Sequence, residues 1–123
     1  MPAAALLEQA SALAPRIIAL RRAIHAEPEL GLETPQTMAK VRAELADLPL
    51  EWRVGRECSG AVAVLRGAKP GERAVLLRGD MDALPLHEDS GLDFTSKHDH
   101  SMHACGHDTH TAMLAAAAKV LSA

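Results

Sequence analysis

Residues 73–82 read Arg-Ala-Val-Leu-Leu-Arg-Gly-Asp-Met-Asp, a short apolar run that ends in two carboxylates. The continuous run Val75-Leu76-Leu77 is typical of a strand that is covered on both faces. Strands of this kind lie in sheets that carry packed helices, so the stretch predicts an α/β fold. Asp80 and Asp82 then follow the end of a strand, where functional sites gather in open α/β sheets.

Two more strands are predicted before this one. They cover residues 50–54 and 61–66, which are short segments rich in aliphatic side chains. The connector at 67–72, Gly-Ala-Lys-Pro-Gly-Glu, is rich in turn-forming residues and predicts a hairpin between strands 61–66 and 73–78. The sequence therefore indicates about three strands, including one hairpin.

Helices are predicted on both sides of the strands along the chain. Apolar residues recur at spacings of four and three over 6–24, which predicts an amphipathic helix, either kinked at Pro15 or divided there. A second helix is predicted over 34–48, because it opens with a Thr-Pro pair typical of an N-cap and first turn. An Ala-rich helix is predicted from about 108 to 121. Two N-terminal helices and one C-terminal helix thus surround the strands in the sequence.

Potential metal ligands are concentrated in residues 102–110, Met-His-Ala-Cys-Gly-His-Asp-Thr-His. Six of the seven histidines lie in the range 87–110, and histidine is the commonest metal ligand. Cys105 and His107 can reach one ion if the chain bends sharply at Gly106. A free cysteine alone is more often a small core residue, but the ligand types around it favour a metal site.

Further side chains are candidates for the same site. His103 and His110 lie in the same motif and could face the same cavity. Asp80 and Asp82 point the same way if strand geometry persists, so one could ligate a cation while the other orients an imidazole. His25 lies beside the apolar stripe of the first helix and is predicted to be a hydrogen-bonded structural histidine. The pattern predicts a metal-dependent hydrolase.

The composition narrows the class of protein. The 123 residues include 48% hydrophobic and 24% charged residues, which is ordinary for one soluble domain. The net charge of -3 and the near absence of aromatic side chains argue against a nucleic-acid partner. Glu8 interrupts the N-terminal apolar run and no basic segment precedes it, so neither a signal peptide nor a membrane span is expected. Two cysteines make no disulfide framework, and the expected location is the cytoplasm.

Three stretches together resemble one enzyme family. Residues 22–33, 77–86 and 102–114 are similar, in order and spacing, to successive signatures of hippurate hydrolases, N-acyl-amino-acid amidohydrolases and auxin-conjugate hydrolases. These enzymes are co-catalytic metallopeptidases with a two-metal site. The resemblance covers essentially the whole chain, and it implies the N-terminal part of a metallopeptidase catalytic domain.

The resemblance also implies roles for individual residues. Cys105 and His107 fall on positions that ligate the metal pair, which is manganese, zinc, nickel or cobalt depending on the member. Asp82 falls on the catalytic carboxylate that orients a ligand or the metal centre. Asp80 occupies the position where more distant relatives have a metal-binding histidine. Its role is left open between ligand and outer partner, as are those of His103 and His110.

Other elements of the family are not found in these 123 residues. They are a Glu-Glu pair that supplies a general base and a ligand, two further histidines, and a smaller domain that mediates dimer formation. We therefore expect residues 1–123 to be an N-terminal fragment of the catalytic domain and a poor enzyme alone. The expected substrate is an N-acyl amino acid, hydrolysed with two divalent metal ions. Self-association through the open sheet edge is expected, and a membrane partner is not.

Two other functions agree with the same residues. In one, the chain is a non-catalytic module that binds metal or a partner through the Cys-His loop. In the other, Cys105 is a nucleophile with His107 or His110 as its base, which requires an exposed thiol with a lowered pKa. The Cys-Gly-His spacing constrains that pair too strongly for a simple attack, so the metal-dependent hydrolase is preferred.

Overall fold

The computed structural model describes residues 2–69 and 71–123. Within these residues it contains three helices and two strands, in the order α1 (Ala3–His25), α2 (Pro35–Glu44), β1 (Leu50–Val54), β2 (Ala61–Leu65) and α3 (His107–Ser122). The α/β class is confirmed. So are the two N-terminal helices and the C-terminal helix.

The two strands form one antiparallel pair. Their register runs from Leu50 opposite Leu65 to Val54 opposite Ala61. The hairpin therefore joins the first two predicted strands, and the predicted hairpin between 61–66 and 73–78 is wrong. The physical reason is that the turn-rich connector at 67–72 is not followed by a segment that pairs with β2.

The predicted strand at 73–78 is also not formed among the described residues. Val75 and Leu76 are 84% and 86% exposed. A strand with this apolar character needs neighbours on both edges and cover on both faces. No described residue forms β-sheet hydrogen bonds with this segment, so it does not form a strand in spite of its apolar sequence.

The core lies between α1 and α3. Its buried side chains form one cluster that α2 and β1 help to cover, namely Leu20, Ile24, Leu45, Ala112 and Ala115. The small alanines let α1 approach α3 closely. On α3 the buried face carries Ala112 and Ala115, whereas Met113 is 55% exposed.

The first helix is continuous through Pro15, so it is not divided into two short helices. By length and composition alone it is also apolar enough to cross a membrane, so the expectation that no span is present stays a prediction. Most of its surface is exposed, while Leu20 and Ile24 in its last turns are buried. Arg16 and Arg21 form ion pairs of 2.7 Å with Glu44 and Asp108. Through these contacts the C-terminal half of α1 belongs to the protein core.

The N-terminus of α2 is capped by a carboxylate from outside the helix. Thr34 occupies the N-cap position as predicted, but its side chain makes no capping hydrogen bond. The Glu29 carboxylate instead accepts hydrogen bonds from the amides of Gln36 and Thr37, at 3.0 and 2.7 Å. A negative charge at this end is also favoured by the helix dipole. Glu29 thereby fixes the connection between α1 and α2.

Candidate metal centre

The segment that carries Asp80 and Asp82 is held between the α1–α2 connection and α3. The Ala83 amide donates a hydrogen bond of 2.8 Å to the Glu29 carbonyl oxygen. On the other side, the Thr111 hydroxyl donates a bond of 2.7 Å to the Asp80 carbonyl oxygen. These two attachments fix the backbone on both sides of the aspartates, although the residues before them form no strand.

The other part of the site comes from the start of α3. Gly106 has a φ of 82°, in the left-handed region that favours glycine, so the bend predicted at this residue is present. His107 is the first residue of the helix, and His110 lies one turn further on. Their rings are stacked with centroids 5.6 Å apart. The bend and the helix together direct both imidazoles to one side.

The Asp80 carboxylate lies against both imidazoles. Its Oδ1 is 2.8 Å from Nδ1 of His110, and its Oδ2 is 3.6 Å from Nε2 of His107. One ligand atom from each of the three residues lies within 4.8 Å of the others. The hydrogen bond with His110 is the largest cause that lowers the Asp80 pKa below 3.8, so this carboxylate is ionised at neutral pH. A carboxylate and two imidazoles form a donor set that suits zinc and other transition metals.

Asp82 fixes the orientation of His107. Nδ1 of His107 is 2.8 Å from the Asp82 carboxylate and 2.9 Å from the Asp82 carbonyl oxygen. Both of these oxygens are acceptors, so Nδ1 must carry the hydrogen. In the neutral ring the lone pair is then on Nε2, the atom that faces Asp80. This is the contact by which an outer carboxylate orients a metal-binding histidine.

Cys105 lies just before the bend and is exposed. Among the described residues, the group that could hold a metal does not include its thiol. Its assignment as a ligand stays a prediction. The Nδ1 atoms of His107 and His110 are occupied by the two aspartates, an arrangement that suits metal ligation better than service as a base for this thiol.

His103 is buried and stands outside this group. It is 4% exposed, and neither ring nitrogen has a hydrogen-bond partner among the described residues. Burial is the main cause that lowers the His103 pKa below 6.5, so the ring is neutral at neutral pH. Its ring centroid lies 6.2 Å from that of His25. His103 therefore lies beside a second cluster of buried polar groups, which includes His25.

That second cluster is formed by His25, Glu88 and Asp108, which we call the His25 clamp. Nδ1 of His25 is 2.7 Å from Asp108 Oδ2, and Nε2 is 2.9 Å from Glu88 Oε1. All three residues are buried, in agreement with the structural role predicted for His25. The sequence predicts no role for Glu88, and it predicts Asp108 only as one of the ligand types around Cys105. The position of Asp108 directly after His107 was the one available signal, because Glu88 contacts His25 across 63 residues of chain.

The pKa of Glu88 is strongly lowered in this cluster. Burial acts to raise the Glu88 pKa, but hydrogen bonds from the Ser90 hydroxyl, His25 and the Ser96 amide outweigh burial. Together they lower the pKa from 4.5 to about 2. The clamp therefore contains an ionised carboxylate at neutral pH.

Residues 76–123 match the model of peptidase family M20/M25/M40. The chain is 42% identical over 99 residues to an N-acetyldiaminopimelate deacetylase of Oenococcus oeni, covering 77% of this chain and 26% of that protein. It is 44% identical over 107 residues to an N-acyl-L-amino acid amidohydrolase of Geobacillus stearothermophilus, covering 86% of this chain and 28% of that protein. These relatives have the amide-hydrolysing activity that the sequence resemblance implied.

A solved structure also resembles this one. It is a dinuclear metal-binding peptidase of family M20 from Bacillus subtilis, with a TM-score of 0.77 and 38% sequence identity. The match covers 85% of this chain and 29% of that chain. The chain thus spans between a quarter and three tenths of the length of these three proteins.

Proposed function

We propose that the chain, whose residues 76–123 match the model of peptidase family M20/M25/M40, forms the metal-binding part of a hydrolase that cleaves the amide bond of N-acyl amino acids. The observation that carries this proposal is the cluster of Asp80, His107 and His110, with His107 oriented by Asp82. The names of the relatives support amide hydrolysis on small acylated amino acids as the reaction.

The residues fit a divalent ion, and the family resemblance implies two such ions, which are manganese, zinc, nickel or cobalt depending on the member. His107, through Nε2, and Asp80 would hold metal, and His110 is a third candidate ligand. Cys105 would add a thiolate from the turn before α3. When bound, such ions polarise a carbonyl group and lower the pKa of water.

The chain's own residues prepare the site for this chemistry. Asp82 keeps the hydrogen of His107 on Nδ1, so Nε2 is available as a ligand without a change of tautomer. The low pKa of Asp80 keeps its carboxylate ionised and able to ligate a cation. Asp82 thus acts as a positioning residue through His107. We propose that this positioning contact is the form taken by the catalytic role that the resemblance implies for Asp82.

We propose that residues 1–123 form the N-terminal part of a catalytic domain and supply one side of its site. The coverage of the relatives, between a quarter and three tenths, supports this assignment. Metal binding is then expected from these residues, while efficient hydrolysis is expected to need groups from the rest of the fold. A general base alone contributes roughly 100-fold or more to such a reaction.

The test combines a binding measurement with an activity assay. Zn²⁺ is titrated into the purified chain by calorimetry, and release of free amino acid from N-acetyl amino acids is then measured with the Zn²⁺-loaded chain. We expect saturable binding, and hydrolysis at least about 100-fold slower than that of the full-length Geobacillus amidohydrolase. No saturable binding would contradict the metal centre. Hydrolysis at the full-length rate would contradict the need for further groups.

The alternative is a non-catalytic module that binds metal, and one observation favours it: the candidate ligands all lie within residues 80–110 of this chain. Titration of an N-acetyl amino acid into the Zn²⁺-loaded chain distinguishes the two functions. A hydrolase part is expected to bind this substrate in a Zn²⁺-dependent way. A module that binds only the metal is not expected to bind this substrate.

The proposed location is the cytoplasm. Cys58 and Cys105 are both free thiols, which suits a reducing compartment. The proposed partner is the small-molecule substrate. The net charge of -3 gives no basic surface for nucleic acid, and the ion pairs of α1 argue against a membrane.

Self-association is a further expectation for this chain. Val75 and Leu76 are almost fully exposed, and β1 and β2 pair only with each other among the described residues. Open edges and exposed aliphatic runs promote pairing between chains. Light scattering is expected to show a mass that rises with concentration, and Leu76→Lys is expected to lower it. An exposed change elsewhere, Leu7→Lys on α1, is the matched control. A monomeric mass at all concentrations would contradict the expectation.

A further inference from the structure

We infer that His25 is a positioning residue for the metal ligands, although it touches none of them. The His25 clamp joins three parts of the chain: the end of α1, the segment that contains Glu88, and the first turn of α3. Asp80 and Asp82 belong to the second part, and His107 and His110 to the third. The relative position of these two parts decides whether the ligands can meet at one ion.

The clamp combines hydrogen bonds with an ion pair. Both ring nitrogens of His25 face carboxylate oxygens, and Nη2 of Arg21 lies 3.4 Å from Nδ1 of the same ring. Asp108 lies in the first turn of α3, where the helix dipole favours a negative charge. Arg21, 2.7 Å from Asp108, supplies the cation of the ion pair.

The clamp also fixes the long segment between Asp80 and α3. The Glu88 carboxylate accepts hydrogen bonds from the Ser96 amide and from His25, so it ties this segment to α1. Beside it, the Lys97 amide donates a bond of 3.0 Å to the Ala26 carbonyl oxygen. Asp108 is covalently next to His107. A loss of the His25 imidazole would therefore loosen both sides of the metal centre at once.

The test uses His25→Gln in the full 123-residue chain, with Lys119→Gln as a matched control. Lys119 is also a buried basic side chain beside two carboxylates, 2.9 Å from Asp47 and 3.7 Å from Glu44, but it lies at the opposite end of α3. Two properties are measured: the ring ¹⁵N signals of His107 in the metal-free protein, and the Kd for Zn²⁺. The Kd measurement rests on the proposed function, whereas the NMR measurement does not.

We expect wild type and Lys119→Gln to show one His107 tautomer, with the hydrogen on Nδ1. His25→Gln is expected to show mixed tautomers and a Kd about 10-fold higher, the lower end of what outer partners of metal ligands contribute. If His25→Gln does not fold, the double variant His25→Gln/Glu88→Gln takes its place, because it also removes the buried carboxylate that would lose its imidazole partner and leaves Asp108 with Arg21.

A purely structural His25 would give a different result. Stability would fall in His25→Gln, but the His107 signals and the Zn²⁺ affinity of the folded protein would equal those of wild type, and the inference would be overturned. If wild type binds no Zn²⁺, the proposed function fails, and the His107 signals still decide the inference about His25.

Discussion

Replacement of His107 by alanine is expected to weaken Zn²⁺ binding to this chain by at least about 100-fold, the upper end of the effect of an outer partner. His107 is the one residue of the cluster that contacts both aspartates, through Nε2 toward Asp80 and through Nδ1 to Asp82. Its removal takes away a ligand and leaves the Asp82 carboxylate with no imidazole to orient. Calorimetric titration with Zn²⁺ measures the effect.

The matched control is His98→Ala. His98 belongs to the same histidine-rich region, but its ring is exposed and pairs with Glu27, outside the cluster. Exposed pairs of this kind contribute little energy, so Zn²⁺ affinity and fold are both expected to stay at the wild-type value. Equal Kd values for His107→Ala and wild type, with α-helical circular dichroism intact in both, would exclude His107 as a ligand.

Acidification from pH 4.5 to about pH 2 is expected to remove about 3 kcal/mol of stability through Glu88 alone. The Glu88 pKa is about 2 in the folded chain and 4.5 as a free side chain. A lowered folded-state pKa means that the stabilisation is fully present above pH 4.5 and is lost as pH falls toward 2. A difference of about 2.5 pKa units corresponds to about 3 kcal/mol.

Urea unfolding across this pH range measures that loss. Glu88→Gln cannot titrate, so its free energy of unfolding should fall less steeply between pH 4.5 and 2, by about 3 kcal/mol in total. Glu51→Gln is the control, since Glu51 is exposed in its pair with Arg66. Parallel pH profiles for wild type and Glu88→Gln would show that the clamp does not hold Glu88 ionised.

The elements predicted well from the sequence are those with a strong local signal. The apolar stripe over 6–24 and the Thr-Pro start of α2 predicted two helices, and the structure contains both. The strand predicted at 73–78 depended on its apolar character alone. A continuous apolar run is typical of a strand inside a larger sheet. None of the described residues provides a neighbouring strand for it, so the strand is not formed.

The candidate site was predicted in part, for a similar reason. Candidate ligands that lie close together in one short motif, such as His107 and His110, could be identified from their spacing. Asp82 and His107 are 25 residues apart in the chain, yet their contact agrees with the prediction that one of the two aspartates orients an imidazole. Glu88 and the capping role of Glu29 had no such signal, because a single carboxylate in a polar segment resembles many solvated ones. Only the fold brings Glu88 to His25.

X-ray absorption spectroscopy of the Zn²⁺-loaded chain tests the central claim most directly, because it identifies the atoms bound to the metal. The account predicts imidazole nitrogens at about 2.0–2.1 Å from His107 and His110, oxygen from Asp80, and a sulfur at about 2.3 Å that disappears in Cys105→Ser. A sulfur signal without imidazole, or oxygen ligands alone, would contradict the metal centre described here.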